Sequence, residues 1–221
     1  MRSVLGFLFL ATFLLPAFSQ NTGGGPVLSG FPANSHWRNP PADWKEKNGV
    51  LTIHSAAKTD WYAAPTGGPE SAATPVLLFP APKDFWFSAK VSVDFKSLFD
   101  AGALIVYVDE KNWVKFAFES QDGKTGAIVS VVTRGLSDDN TGALIEGNSI
   151  YLKVSKTGQA LFLFYSTDGK KWNVTRAFNL GTDKPMQFGF SSQSPTGTGA
   201  TATFSEIRYK AEALKPWSAE E

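Results

Sequence analysis

The sequence predicts an all-β protein, a sandwich of two antiparallel sheets, on three observations. About ten segments alternate apolar and polar residues with a period of two, the spacing of strands. Turns rich in Gly, Pro, Asn and Asp punctuate those segments. No segment carries the apolar spacing of a long helix, so two packed sheets are the economical way to bury one face of every strand. At 221 residues the chain suits one large β domain, and no composition break divides it.

In chain order, residues 1–19 combine Arg2, an apolar run from Val4 to Leu15 and the small-x-small ending Ala17-Phe18-Ser19, the pattern of a cleaved export signal. The run is short for a membrane span, so a secreted or periplasmic location is expected. Residues 20–36 read as a Gly-rich flexible leader, and 37–209 as the domain. Pro40-Pro41 excludes a central strand, which leaves Trp37 and Trp44 to clamp an extended segment. A strand opens at Val50; a shorter one at Thr59-Asp60-Trp61-Tyr62 enters the Gly- and Pro-rich loop 63–75. The clearest alternation follows, with Phe85, Phe87, Ala89, Val91, Val93 and Phe95 on one face.

The stretch from Ala101 to Gly135 reads as three antiparallel strands joined by turns at Asp109-Glu110-Lys111-Asn112 and Gln121-Asp122-Gly123-Lys124. Leu104, Val106 and Val108, then Val114, Phe116 and Phe118, form the core side, which places Ile105, Tyr107, Trp113, Lys115, Ala117 and Glu119 on the other. On the third strand Val129 and Val131 are expected inward, setting Ser130, Val132 and Arg134 outward. Residues 136–147 read as a second long polar loop. Strands at 149–155 and 160–166 follow, and an Asp168-Gly169 turn leads to a strand opened by Trp172. Strands at 187–192 and 200–209 complete the set; the tail 210–221 reads as a fraying end with one helical turn before Pro216.

Composition narrows the chemistry. Twenty-one basic and 20 acidic residues leave a net charge of +1, which provides no field for nucleic acid. There is no cysteine, and only His36 and His54 are available as bases, so neither a nucleophilic triad nor a metal centre is supported and no cofactor is expected. Ser137-Asp138-Asp139-Asn140-Thr141 offers oxygens to calcium but lacks EF-hand spacing. The sequon Asn173-Val174-Thr175 matters only in a host that glycosylates exported chains.

Seven tryptophans remain as a signal, since aromatic rings stack on the apolar faces of sugars. Trp44, Trp86 and Trp172 are assigned to the core, while Trp61, Tyr62 and Trp113 adjoin a long loop or the polar face. The expected ligand-binding set is Trp61, Tyr62, Tyr107, Trp113, Lys115, Glu119 and Arg134, and the expected partner a neutral oligosaccharide or polysaccharide. A glycosidase needs two carboxylates flanking one bond. Glu119 stands alone on its face and would need Asp60 or Asp138 from elsewhere. Binding without catalysis is therefore the first reading, a glycoside hydrolase-like enzyme using Glu119 the second, and a protein-interaction scaffold the third. The plain reading of Lys115, Glu119 and Arg134 is a surface ion-pair network worth little energetically.

Several motifs in fixed order carry a family resemblance. They are Trp37-x-Asn39-x-Pro41-x-x-Trp44, Thr59-Asp60-Trp61-Tyr62, Asp109-Glu110-Lys111-Asn112-Trp113-Val114-Lys115-Phe116, Ser130-Val131-Val132 through Gly135 to Ser137-Asp138, and Tyr165-Ser166-x-Asp168-Gly169-x-x-Trp172. Over Trp37 to Tyr209 the chain resembles a largely bacterial family of unknown function, often labelled "regulation of enolase protein", in the concanavalin A-like lectin and glucanase superfamily. The resemblance implies a concanavalin A-like jelly-roll with a concave sheet, the face that holds sugars in that superfamily. Two departures stand out: Pro40 where an acidic residue is expected, and Tyr107 where family strands often place Arg. A phenol lacks the guanidinium fork for carboxylate or phosphate, which turns the expectation away from anionic ligands.

Overall fold

In the computed structural model, residues 22–68 and 70–220 are described; the expected export signal and the first two leader residues, Gln20 and Asn21, lie outside them. The strands begin with β1 (Thr22–Gly24), β2 (His36–Arg38), β3 (Asp43–Lys47), β4 (Val50–Ala56), β5 (Trp61–Tyr62) and β6 (Ser71–Ala72). Next come β7 (Val76–Pro80), β8 (Phe85–Val93), β9 (Ala101–Asp109), β10 (Asn112–Ser120), β11 (Gly126–Arg134) and β12 (Leu136–Ile145). The remainder are β13 (Ser149–Thr157), β14 (Ala160–Ser166), β15 (Asn173–Phe178), β16 (Gln187–Gln193) and β17 (Gly199–Lys210). No helix occurs among the described residues.

Fifteen of the strands form an eight-stranded sheet, β1-β2-β7-β16-β9-β10-β11-β12, and a seven-stranded sheet, β15-β14-β13-β8-β17-β4-β3, while β5 and β6 pair as a separate two-stranded sheet. The all-β sandwich expected from alternation is therefore the fold. One core fills the space between the sheets. Leu104, Val106, Val114, Phe116, Phe118, Phe188 and Phe190 come from the larger sheet, and Phe85, Phe87, Val91, Leu152, Val154 and Phe204 from the smaller. The alternation read in β8, β9 and β10 matches these partitions, because each strand has one face against the other sheet.

Other readings need correction. Lys115 lies opposite Val131 and Phe116 opposite Ser130, so Val129, Val131 and Thr133 share the outer face of β10 while Ile128 and Val132 point to the core. This reverses the expected phase of β11. The strand carries aliphatic residues on both faces, Ala127, Val129 and Val131 outward and Ile128 and Val132 toward the core, so its hydrophobicity holds no phase information. Residues 136–145 form β12, not a loop: as an edge strand with one side in solvent it needs only backbone pairing to β11, not apolar alternation.

The leader is also part of the sandwich. β1 pairs with β2, Leu28 is buried, and the Phe31 ring lies 5.0 Å from Phe79 and 5.1 Å from Tyr209. Two apolar residues thus tie down a segment that is otherwise Gly-rich. The tail does not fray or coil into a helix: it crosses the outer face of the smaller sheet, burying Leu214 and Ala219. Trp44, assigned to the core, sits on the edge strand β3 at 37% exposure, with its ring 5.8 Å from buried Trp37.

Candidate functional site

The outer face of the eight-stranded sheet is crossed by a strap, residues 59–63. Ser194 N–H donates to the Thr59 carbonyl (3.2 Å) and hydroxyl (3.1 Å), fixing one end beside β16. Ala63 N–H donates to Ser137 Oγ (3.0 Å) and Ser137 N–H to the Ala63 carbonyl (2.7 Å), fixing the other on β12. Between these anchors, the Asp60 carbonyl accepts from the Ala73 and Thr74 N–H groups, which brings loop 63–75 down on the strap.

Beneath the strap lies an apolar layer. Trp61 stacks on Trp113 with ring centroids 4.7 Å apart and approaches Tyr107 at 5.7 Å. The Arg38 guanidinium stands 4.9 Å from the Trp61 ring and 5.8 Å from Tyr107, and pairs with Glu110. Tyr107 donates its hydroxyl proton to Glu110 (3.1 Å). Trp61 and Trp113 are buried against Val76, Leu78, Ile105 and Val129. Their ring faces are covered by one another, which removes both from the stacking role expected of them, and Tyr107 is engaged in the same layer. Alternation places a residue outside the main core but cannot show that a distant strap covers it.

The strap leaves part of the sheet open. There a pocket of about 190 Å³ is lined by Asp60 and Tyr62 from the strap, Lys115 and Glu119 from β10, Val131, Asp139, Gln193, and the loop residues Phe99 and Pro195. The polar floor is buried: Lys115 is 3%, Glu119 7% and Gln193 2% exposed. Lys115 Nζ donates to Gln193 Oε1 (2.9 Å) and lies 3.3 Å from Asp60 Oδ1. Gln193 Nε2 donates to Glu119 Oε2 (3.3 Å) and to the Phe99 carbonyl (3.1 Å). One amide thus bridges the ammonium and the carboxylate.

The electrostatics follow from that burial. Loss of solvent is the largest influence on Glu119 and lifts its carboxyl to about 7; the Lys115 ammonium opposes this, and the Asp139 and Asp60 carboxylates reinforce it. Asp139, on the exposed rim, is also raised, first by partial loss of solvent, with Lys115 opposing. Burial likewise raises the Tyr62 phenol, with Asp139 and Asp60 adding to the effect.

Phe99 has φ 68°, a conformation uncommon for a bulky side chain. Its turn is held by Asp100, fully buried, whose carboxylate accepts from the Lys96 and Ser97 N–H groups (3.0 and 2.8 Å) and the Ser194 hydroxyl (2.7 Å). The result is an aromatic ring 40% exposed at the pocket wall.

Of the seven expected residues the structure brings Tyr62, Lys115 and Glu119 into one pocket. Arg134 does not join them: it is exposed, lies on the opposite phase of β11 and donates to the Asn179 carbonyl (3.0 Å). Lys115 and Glu119 form no surface network, being buried beneath the pocket. Asp138, one of the two partners considered for Glu119, turns away to Arg176 (2.6 Å), and its neighbour Asp139 faces the pocket instead. Gln193 was recoverable from sequence, since Phe188 and Phe190 point inward and position 193 falls on the other parity. Asp139 and Phe99 carried no such signal.

A larger crevice, about 470 Å³, lies between the end of β13, which bears Lys156, and the loops bearing Lys83 and Lys184. Two of these cations are already engaged: Lys156 Nζ donates to the Lys83 and Gly158 carbonyls (2.5 and 2.7 Å), and Lys184 pairs with Asp109 (2.8 Å). Among the described residues no group of three His, Cys, Asp or Glu side chains is arranged to hold a metal ion.

The chain is similar to "Regulation of enolase protein 1" of Saccharomyces cerevisiae, 28% identical over 172 residues that cover 77% of this chain and 86% of that one. Its fold is similar to the crystal structure of a functionally unknown protein from the same yeast, with a TM-score of 0.75, 26% identity, and coverage of 81% of this chain and 97% of that one. It is also similar to a GH43 protein of Bacillus licheniformis at a TM-score of 0.62, covering 80% of this chain and 37% of that one; at 18% identity this likeness shows the fold alone. The model of a family of proteins of unknown function, DUF1349, matches residues 37–212, and the chain belongs to that family.

Proposed function

We propose that this protein binds a saccharide in the Lys115 pocket without cleaving it. The observation that carries this reading is the buried polar floor, Lys115, Glu119 and Gln193, open to a pocket with aromatic and apolar walls. Burying charged side chains in the middle of a sheet costs stability unless they are paired and hydrogen-bonded, and here the bonded floor groups also open onto a pocket. Donors and acceptors fixed below, with Tyr62 and Phe99 at the sides, are what a polyol with apolar ring faces requires. The volume is below the roughly 300 Å³ at which pockets for drug-sized ligands begin, so the site fits one sugar ring or a chain end and not a long chain. Export belongs to the same proposal and rests on the residue pattern of 1–19. So does membership of the concanavalin A-like superfamily, which rests on the motif resemblance.

One observation favours a second reading, glycoside cleavage. A carboxyl lifted to about 7 beside a second carboxylate is the pairing that supplies a general acid and its partner. In this structure the partners are Asp139 or Asp60, not Asp138. A glycan array followed by product analysis of each hit separates the readings. Binding with the glycan recovered intact supports the first, and new reducing ends support the second. If Glu119→Gln leaves glycan binding unchanged, the site has been placed wrongly.

A further inference from the structure

The Lys115 pocket holds more negative charge than positive. Asp60, Glu119 and Asp139 line it with a single ammonium. That ammonium is committed on the Asp60 and Gln193 side. Neither Glu119 nor Asp139 has a Lys, Arg or His within salt-bridge distance among the described residues. Glu119, 7% exposed, receives a hydrogen bond from the neutral Gln193 amide. A buried carboxylate near a second carboxylate, with no cation paired to it, is an unfavourable arrangement that an entering cation relieves. Val131, Pro195, Tyr62 and Phe99 supply the apolar surface for a carbon skeleton attached to that cation.

We propose that the pocket takes an amino sugar with an unsubstituted amine, its ammonium directed toward Glu119 and Asp139 and its ring against Tyr62 and Phe99. This rests on the saccharide-binding reading and specifies its ligand class. An N-acetylated amine carries no charge and adds bulk to a small site. A uronate brings another negative charge into a pocket already net negative. Both are disfavoured for those reasons. The charged groups facing Glu119 are Lys115 on its own strand, Asp60 on the strap and Asp139 on β12. An entering ammonium favours the ionised form of Glu119, so binding near pH 6 releases a proton to the buffer.

The test is calorimetric titration of the full chain with three probes: a glucosamine disaccharide, its N-acetylated counterpart and xylobiose. The expected result is glucosamine binding about tenfold tighter than either of the others. Its heat should depend on the buffer's ionisation enthalpy at pH 6. Glu119→Gln and Asp139→Asn should each reduce the preference; Asp139 is on the exposed rim, so its variant remains informative if the buried one fails to fold. Xylobiose or the acetylated sugar binding as tightly as glucosamine overturns the amine assignment and leaves the saccharide reading standing. Binding of none of the three, with no hit on a wider glycan array, overturns both.

Discussion

Two lysines stand mid-strand on the outer faces of the two sheets, and both are buried. Lys153 on β13 is fully enclosed: its Nζ lies 4.9 Å from the Trp86 ring and 4.3 Å from Trp172, and it donates to the Ala219 carbonyl at 2.8 Å. Lys115 on β10 is 3% exposed, but its neighbours are Asp60, Gln193 and a pocket. The first cation is roofed by aromatic rings and the protein's own tail, so its surroundings serve packing. The second sits among carboxylates under a strap that covers the aromatic half of the sheet and leaves the polar half open. Burial of a charge therefore does not mark a site by itself; what covers the charge does.

The largest test of that contrast is the strap. Trp61→Ala removes the ring stacked on Trp113 and beside Arg38, and should cost about 3–5 kcal/mol, the range for large aromatic truncations in cores. Denaturant unfolding that shows a loss under about 1 kcal/mol would mean the strap is not an integral layer of the fold.

Deleting residues 211–221 strips the other roof. The Phe162, Phe164 and Trp172 surface loses Ala219, and Lys153 loses the Ala219 carbonyl, so stability should fall by roughly 2–4 kcal/mol. Glycan binding at the opposite sheet should be unaffected; a matching loss of affinity would show that the two faces are coupled and break the contrast.

Glu119→Gln sharpens it through pH. In the folded protein this carboxyl ionises near 7, against 4.5 for the free group. Between those values the folded state holds more protons than the unfolded one, so the stability from this group falls as pH rises through that window. Glutamine has no such dependence. The variant should match wild type below about pH 4 and exceed it above pH 7, by on the order of 2–3 kcal/mol. Thermal midpoints differing by the same amount at pH 4 and pH 8 would contradict this.

The smallest effect is expected at Arg134. The Arg134→Ala substitution removes an exposed contact to a carbonyl and should change stability by less than about 0.5 kcal/mol and glycan affinity not at all. Loss of binding would return Arg134 to the site and overturn the observed strand phase.

Much of the sandwich was legible because β8, β9 and β10 each have one face on the core, and a period of two records that directly. From the same pattern the sequence alone determined that Lys115 and Glu119 share a face, two polar residues where an apolar strand would otherwise run. It could not determine the phase of β11, where both faces are aliphatic, or the pairing of β12, which is made by backbone groups that every sequence has. Nor could it show that Trp61 would lie flat on Trp113. That contact joins residues 52 positions apart and depends on anchors at Ser194 and Ser137, at opposite ends of the strap. Local side-chain order is written in the chain at short range. Which residues are covered, and which carboxylate meets Glu119, depends on long-range contacts that exist only once both sheets have closed.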